Sequence, residues 1–395
     1  MIIKYFICWC ILLLLYIITG CNNSSKNCDQ LPHFDLTELT QDSEVKLSEL
    51  GIIDIVYIPL ETDSSNLISG IKKIETDNNS FYIGDWFKIS KYALDGKYIK
   101  DIGVRGRGPK EYHIIMDFTI DSKNNYLFML NGSRVNGKIF VYTLNGDFIK
   151  SFSSPAYAMN LACMEDKLLH YLPNIDGTLD TSFILTGFDG ETEKVYPNKF
   201  PYNNVNIPRG FLVEFLCYKY GNQLFTKEIY SDTIFVFKNL NFEPAYILNH
   251  GEKTLSPEVR GGINSMESHI KVFKNQIHTV TNLFETQSFI YSEFIDKEQI
   301  YTFIGFKDGD AYLLIKARGI INDIDGGPSL FFKMAKDKNT VISWINAYEL
   351  KDYVRSEEFK NSTPQYPEKK KELEKLANNL DENDNPVLML VKLKK

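Results

Sequence analysis

Hydrophobic and polar positions alternate in short runs along most of the chain, and the runs recur. "KISKYALDGKYIKDIG" (88–103), "KIFVYTLNGDFIKSF" (138–152) and "SFILTGFDGETEKVY" (182–196) share one layout. Alternating large apolar residues lead to Asp95-Gly96, Asn145-Gly146 or Asp189-Gly190, and a second alternating run follows. Period-two alternation around such a dipeptide predicts a β-hairpin, because both turn residues tolerate positive φ. A weaker fourth copy, "TIFVFKNLNFEPAYIL" (233–248), places Asn241 at the turn, and a fifth, "QIYTFIGFKDGDAYLLIK" (299–316), carries Asp308-Gly309. The turns recur about every 45–55 residues, stretching to about 65 before the fifth. The extra length falls in 252–275, where Pro257, Gly261 and Gly262 suit a short helix.

Two further strand-like runs precede the hairpin copies, for example "GIKKIETDNNS" and "FYIGDWF" before the first. Four strands per repeat at this period predict a β-propeller blade. One four-stranded sheet cannot bury both of its faces, whereas blades packed around an axis can. A long sandwich would not produce the regular period. Five copies leave a sixth blade to be assembled from both ends. Residues 328–339 and 340–350 supply its first two strands, Val387 to Leu393 the third, and "IIDIVYIPLET" (52–62) the fourth. Residues 356–366 read as polar loop. Pro367 opens a helix with Leu373, Leu376, Ala377 and Leu380 at helical spacing. The expected fold is all-β: a six-bladed β-propeller with four-stranded blades, its ring closed by N- and C-terminal strands, with a short C-terminal helix insert.

The N-terminus reads differently. Lys4 supplies a basic start and Ile7 to Ile18 an uncharged apolar run, short for a spanning helix but right for a signal peptide. Ile18-Thr19-Gly20-Cys21 resembles the lipobox of bacterial lipoproteins, which implies cleavage before a lipidated Cys21. The expected organisation is signal peptide 1–20, lipidated tether 21–45 and propeller 46–395, with contact to the membrane through the lipid alone. Cys28, Cys163 and Cys217 then remain, an odd number at wide spacing that fits neither a disulfide framework nor a zinc site. Cys163 and Cys217 sit in apolar runs and are expected as buried small hydrophobes. The formal charge of −7, with dispersed basic residues, argues against a nucleic-acid partner.

"DGKYIKDIGVRGRGPKEYHIIMDFTID" resembles a repeat of the NHL/TolB-like propellers. The lipobox, "IVYIPLET", "GRGPKEY", "INDIDGGPS", "ISWINAYEL" and "NPVLMLVKL" together resemble the six-bladed propeller lipoproteins of Bacteroidetes, over almost the whole mature chain. The resemblance implies fold and export. It implies little about activity, and the middle blades, roughly 155–250, match it poorly.

Within a propeller, "GVRGRGPKEY" becomes the link from the fourth strand of one blade to the first of the next. A phosphate loop would need a helix after the glycines and a Lys-Ser/Thr pair, and a strand follows here. An Arg-Gly pair recurs in four of the five covalent links: Arg105 and Arg107 in the first, then Arg209, Arg260 and Arg318. Either the arginines line a mouth that takes an anionic group bidentately, or they pin the links by pairing with acids such as Glu111, Asp323 or Asp325. Tyr112 joins the candidate ligand residues by position. "NDIDGGP" (322–328) offers too few oxygens for calcium and reads as a turn. "DENDNP" (381–386) reads as a loop. The six histidines form no metal pair; His113, at the start of an innermost strand, is placed to face the channel. No nucleophile elbow or reactive cysteine is present, and no cofactor is expected.

The expected function is therefore a non-catalytic binding or scaffold protein of the cell envelope, monomeric and anchored in the outer membrane. Its ligand, a glycan or a protein, would meet the face that carries the links. The competing expectation is a propeller lyase or hydrolase, which requires histidines and carboxylates converging at one end of the channel. Asn22-Asn23-Ser24-Ser25-Lys26 lacks the acidic residues associated with surface export, which favours the periplasmic side.

Overall fold

A computed structural model describes residues 31–39, 42–132, 135–203, 213–276 and 280–395, and the compact unit runs from Pro32 to Lys395. Six sheets form. Blade 1 is Lys73–Thr76, Ser80–Gly84, Ile89–Ala93 and Tyr98–Asp101. Blade 2 is Ile115–Asp121, Tyr126–Asn131, Lys138–Thr143 and Phe148–Ser153. Blade 3 is Asn160–Met164, Lys167–Tyr171, Thr181–Gly187 and Thr192–Pro197. Blade 4 is Phe215–Tyr220, Gln223–Glu228, Thr233–Lys238 and Asn241–Asn249. Blade 5 is Val280–Glu285, Phe289–Asp296, Gln299–Phe306 and Tyr312–Lys316. Blade 6 takes Met334–Asp337, Thr340–Ile345 and Val387–Leu393 from the C-terminal end and Ile52–Pro59 from the N-terminal end. The six-bladed propeller read from the repeats is thus the fold, and its ring closes as expected.

The core is divided into wedges, one at each junction between blades. Tyr82, Ile89, Phe118 and Phe140 fill the junction of blades 1 and 2; Phe128, Val141, Leu161 and Leu168 that of blades 2 and 3. Tyr171, Phe183, Phe215 and Phe237 stack between blades 3 and 4. Phe225, Ile234, Ile290 and Phe303 follow between 4 and 5, and Tyr291, Ile304, Val341 and Val391 between 5 and 6. Ile58, Ile74, Phe81, Ile342 and Leu388 complete the circle between 6 and 1. The middle strands of a blade contribute alternate residues to two different wedges, which is why Ser80–Gly84 and Tyr126–Asn131 are buried on both faces.

The hairpin turns differ in detail from the expectation. Gly96, Gly146 and Gly190 have φ of 88°, 87° and 92°, but Asp95, Asn145 and Asp189 keep negative φ. Each turn closes back on itself, as in Gly96 N–H to Ala93 O at 3.0 Å and Ala93 N–H to Lys97 O at 2.8 Å, with a bulge in the ladder beside it. One glycine in the left-handed region suffices for this turn. In blade 4 the turn is Asn239-Leu240, both at positive φ, and Asn241 already belongs to the strand.

Two stretches behave otherwise than their pattern suggests. The expected tether is not free over its whole length, because from Pro32 the chain belongs to the propeller. His33–Asp35 adds a parallel fifth strand to the rim of blade 4, with Phe34 packed edge-on against Phe303 at 5.1 Å. Ser43 N–H then donates to Leu314 O of blade 5, and Leu47 N–H to Ile321 O of the next link. Phe34, Leu36 and Leu47 are fully buried. The strand expected over 340–350 stops at Ile345. Asn346, boxed with Glu349, starts a helix at Ala347–Arg355, and Glu357–Asn361 forms another where a loop was expected. The expected helix spans Pro367–Asn379; Leu350, Val354, Phe359, Leu373 and Ala377 cluster on Val387.

Closure is held by one buried amide. Asn385 Nδ2 donates to Glu61 O at 2.9 Å and lies 3.3 Å from Asn66 O, while its Oδ1 accepts from Ile68 N–H at 2.8 Å. Asn385→Ala strips several buried partners and is expected to lower stability by about 2 kcal/mol in urea unfolding. His170 supplies a pH test. It is fully buried, bonded through Nε2 to Thr186 Oγ1 at 3.0 Å, and burial depresses its pKa to about 3. The unfolded chain takes up this proton near pH 6.5, so the stability is complete above that pH and drains as pH falls toward 3. His170→Gln should shrink the loss of stability between pH 7 and pH 5 by about 2 kcal/mol.

Candidate functional site

Strands alternate in direction, so links between blades and loops joining second to third strands emerge on one face. The link 102–114 is a self-contained loop on that face. Gly106 N–H donates to Tyr112 O at 2.9 Å and Tyr112 N–H to Val104 O at 3.0 Å. Glu111 accepts from Gly108 N–H at 2.8 Å, and a Cβ at Gly106 would lie 2.0 Å from its carboxylate. The glycine there leaves room for the carboxylate that ties the loop. Glu111 is therefore a loop brace and forms no ion pair with an arginine among the described residues. Tyr112 is 2% exposed within the wedge of blades 1 and 2, which removes it from any ligand surface.

The arginines part company. Arg105 donates through Nε to His113 O at 3.2 Å and lies 4.3 Å from the centre of the Phe87 ring. Arg107 is exposed and has no ion-pair or hydrogen-bond partner among the described residues. Arg209 lies outside the described residues, as does Cys21. Arg260 is not at a mouth at all. It is 1% exposed in the short helix Pro257–Gly261, bonded to Glu214 at 2.9 Å and Tyr230 Oη at 2.5 Å, with its guanidinium 5.2 Å from the Tyr202 ring. Arg318 forms a two-pronged pair with Asp42 at 2.9 and 3.2 Å and so pins the N-terminal segment. Asp323 accepts from the backbone and hydroxyl of Ser48, at 3.1 and 2.5 Å, for the same purpose. Asp325 is buried, which raises its pKa, and accepts from Gly327 N–H, Asn322 and Tyr57. An arginine-lined mouth is therefore not what Arg260, Arg318, Asp323 and Asp325 build.

What the face does expose is aromatic. Trp86 and Phe87, in the loop between the second and third strands of blade 1, are 47% and 44% exposed. Asp85 holds their loop by accepting from Phe87 N–H, Lys88 N–H and Ser69 Oγ at 2.6, 2.8 and 2.9 Å. Lys72 Nζ sits 3.6 Å from the Trp86 ring centre, as Arg105 sits on Phe87. Leu67, Val104, Val135 and Tyr157 are also exposed on links and loops of this face. The loop "GDWFK" carried the signal: two large aromatics between strands, where packing does not require them.

The channel opens beside this patch. Residues from all six innermost strands line a cavity of about 300 Å³, among them Lys73, Thr119, Leu161, Cys217, Asn282 and Lys336. Lys73 donates to Asp117 at 2.9 Å and to Phe118 O at 2.6 Å. Cys163 is buried as expected, but Cys217 is half-buried in the channel wall. Burial raises its pKa to about 11, so the thiol is uncharged. His113 is exposed, and its backbone N–H donates to Asn131 Oδ1 at 2.8 Å. A His250–Asp232 contact at 3.1 Å does lie near Lys227 and Glu228, with burial moving these to about 8 and about 7. The space enclosed beside His250 and Asp232 is about 20 Å³, room for a single water, while Glu228 also lines a separate cavity of about 180 Å³ with Lys199, Phe235 and Phe242. Among the described residues, no three His, Cys, Asp or Glu side chains are grouped to hold a metal ion.

Fold and topology together define the class, a six-bladed β-propeller. The chain belongs to the family described as "Domain of unknown function (DUF4934)", whose model matches residues 31–392. No curated protein matches it. It is similar in structure to a protein of Bacteroides fragilis NCTC 9343 that bears the provisional name of an exported protein. That likeness has a TM-score of 0.72 at 18% identity, over 93% of this chain and 100% of the other. It is also similar to a member of the DUF4221 family from Bacteroides vulgatus ATCC 8482. There the TM-score is 0.50 at 12% identity, over 87% of this chain and 97% of the other.

The split among the arginines is directly measurable. Arg260→Ala removes the buried cation that Glu214 faces at 2.9 Å and is expected to cost about 3–5 kcal/mol in denaturant unfolding. Arg107→Ala should stay within about 0.5 kcal/mol of the parent.

Proposed function

We propose that this protein is an exported, lipid-anchored propeller of the cell envelope that binds a glycan or protein ligand on its link face and does not transform it. The observation that carries this reading is the exposed pair Trp86 and Phe87, each capped by a cation, at the rim of the channel. Large exposed aromatics on a rigid loop cost little side-chain entropy to use, and soluble monomers rarely leave them grouped without a partner. The provisional name of the B. fragilis neighbour, the lipobox-like Ile18-Thr19-Gly20-Cys21 and the apolar run before it support export and anchoring. Among the described residues no helix is long and apolar enough to cross a membrane, which is compatible with lipid as the attachment. The enzyme alternative draws no support from the His250–Asp232 contact, beside which the enclosed space is only about 20 Å³.

Glycan and peptide arrays probed with the purified protein provide the test. Trp86→Ala with Phe87→Ala should weaken the ligand found by at least about 30-fold, without a change in melting temperature. Arrays that stay blank, or binding that survives the double substitution, would remove the reading.

A further inference from the structure

The channel has a charge of its own. The chain as a whole carries −7, yet the cavity wall presents Lys72, Lys73, Lys219, Lys333 and Lys336 against the single carboxylate of Glu75. Part of this charge is answered. Lys73 is 2.9 Å from Asp117 and 3.4 Å from Glu75, and Lys336 is 3.8 Å from Asp337. Lys72, Lys219 and Lys333 form no ion pair among the described residues. Lys72 donates to the carbonyls of Ile115 and Met116, Lys219 to Ile120 O at 3.3 Å, and Lys333 lies 5.6 Å from the Phe331 ring. Carbonyls and rings solvate an ammonium group but leave its charge uncancelled. Like charges around a narrow, partly apolar space repel one another, and an anion placed among them gains from each.

Position narrows the site. Lys72 immediately precedes the innermost strand of blade 1 and Lys333 that of blade 6, so both stand at the link-face end. Lys219 and Lys336 stand toward the opposite end. Blades 6 and 1 are neighbours, joined by the wedge of Ile58, Ile74 and Ile342. We propose that the channel binds a small oxyanion, a carboxylate or a phosphate, held at its link-face end by Lys72 and Lys333. A cavity of about 300 Å³ is at the small end of ligand sites and suits a molecule of monosaccharide size. The lining of Leu161, Tyr218, Phe284 and Trp344 gives the body of such a ligand an apolar wall. The inference does not rest on the aromatic patch, which can bind a partner whether or not the channel is filled.

Calorimetric titration at low ionic strength tests it with three probes: galacturonate, inorganic phosphate, and galactose as the neutral control. At least one anion should bind while galactose gives no heat. Binding of galacturonate alone assigns a carboxylate, and of phosphate alone a phosphate. Lys72→Met and Lys333→Met should each weaken that anion about tenfold and together about 100-fold, as expected for lost charge-assisted hydrogen bonds. Lys72→Arg, which keeps the charge, should stay within about threefold. Should a methionine variant fold poorly, Cys217 reports on the parent protein, since a bound anion must slow its alkylation as read by peptide mass. Silence from both anions, binding equal in the double variant, or unchanged Cys217 alkylation would overturn the proposal.

Discussion

The antiparallel pairing of Ile52–Pro59 with Val387–Leu393 is the constraint on which the ring depends. Most other strand pairs within the blades join neighbours in sequence and can form as local hairpins; the parallel pairing of His33–Asp35 on blade 4 and the pairing of Thr340–Ile345 with Val387–Leu393 across the helical insert are exceptions. The closing pair joins residues 328 to 341 positions apart, Ile55 with Val391 for instance. Without it two wedges would each lose a wall, the one at blades 5 and 6 and the one at blades 6 and 1. Loop closure over such a separation costs only slightly more than over a short one, since the entropy grows with the logarithm of length. Register is the harder problem, because a slip of one residue would move Ile55 and Ile58 each to the other's wedge, where the packing does not match. Asp54 resists the slip. Burial alone would raise its pKa, but Lys369 and Lys392 more than offset that and hold it below the usual range. One of those lysines comes from the C-terminal helix and the other from the partner strand, so the insert helps to set the register of the closing pair.

The N-terminal segment extends the same logic along the rim. Between Pro32 and Leu50 it touches the outer strand of blade 4, the outer strand of blade 5 and the link to blade 6 before entering blade 6 itself. Outer strands of a propeller present unpaired edges, and a belt that covers two of them removes a route to edge pairing. Arg318 with Asp42 and Asp323 with Ser48 fasten this belt. Two of the residues that seemed placed for a ligand are thus occupied in holding the chain to its own edge.

How much was legible follows from how local each signal is. The Asp-Gly and Asn-Gly turns lie within one hairpin, so they revealed the blades, and the strands left over at both ends forced the closure. The belt was not legible, because Phe34, Leu36, Val45 and Leu47 are scattered among polar residues and find their partners on blades 4 to 6. The helix from Ala347 was hidden by the strand-like run before it, although the spacing of Asn346 and Glu349 was a start signal. The arginines were misread for the same reason as the belt. Glu214 is 46 residues from Arg260, and Asp42 lies at the far end of the chain from Arg318. Trp86, Phe87 and the channel lysines could be seen in sequence, but their exposure and convergence are properties of the closed ring.

Charge is spent in different ways around the ring, and this separates structure from surface chemistry. In blades 4 and 5 and along the belt, cations meet carboxylates: Arg260 with Glu214, Lys253 with Asp296, Arg318 with Asp42. On the link face of blade 1, Lys72 and Arg105 meet aromatic faces and backbone carbonyls instead. An ion pair cancels the charge at short range, so a passing anion gains little from it. At a cation resting on a ring or a carbonyl, an arriving anion need not first displace a carboxylate, although burial lowers the pKa of Lys72 to about 8. The same contacts fix the aromatic rings in place, lowering the entropy a ligand must supply to stack against them. The link face of blade 1 therefore holds its cations and its aromatic rings in place without committing them to carboxylates.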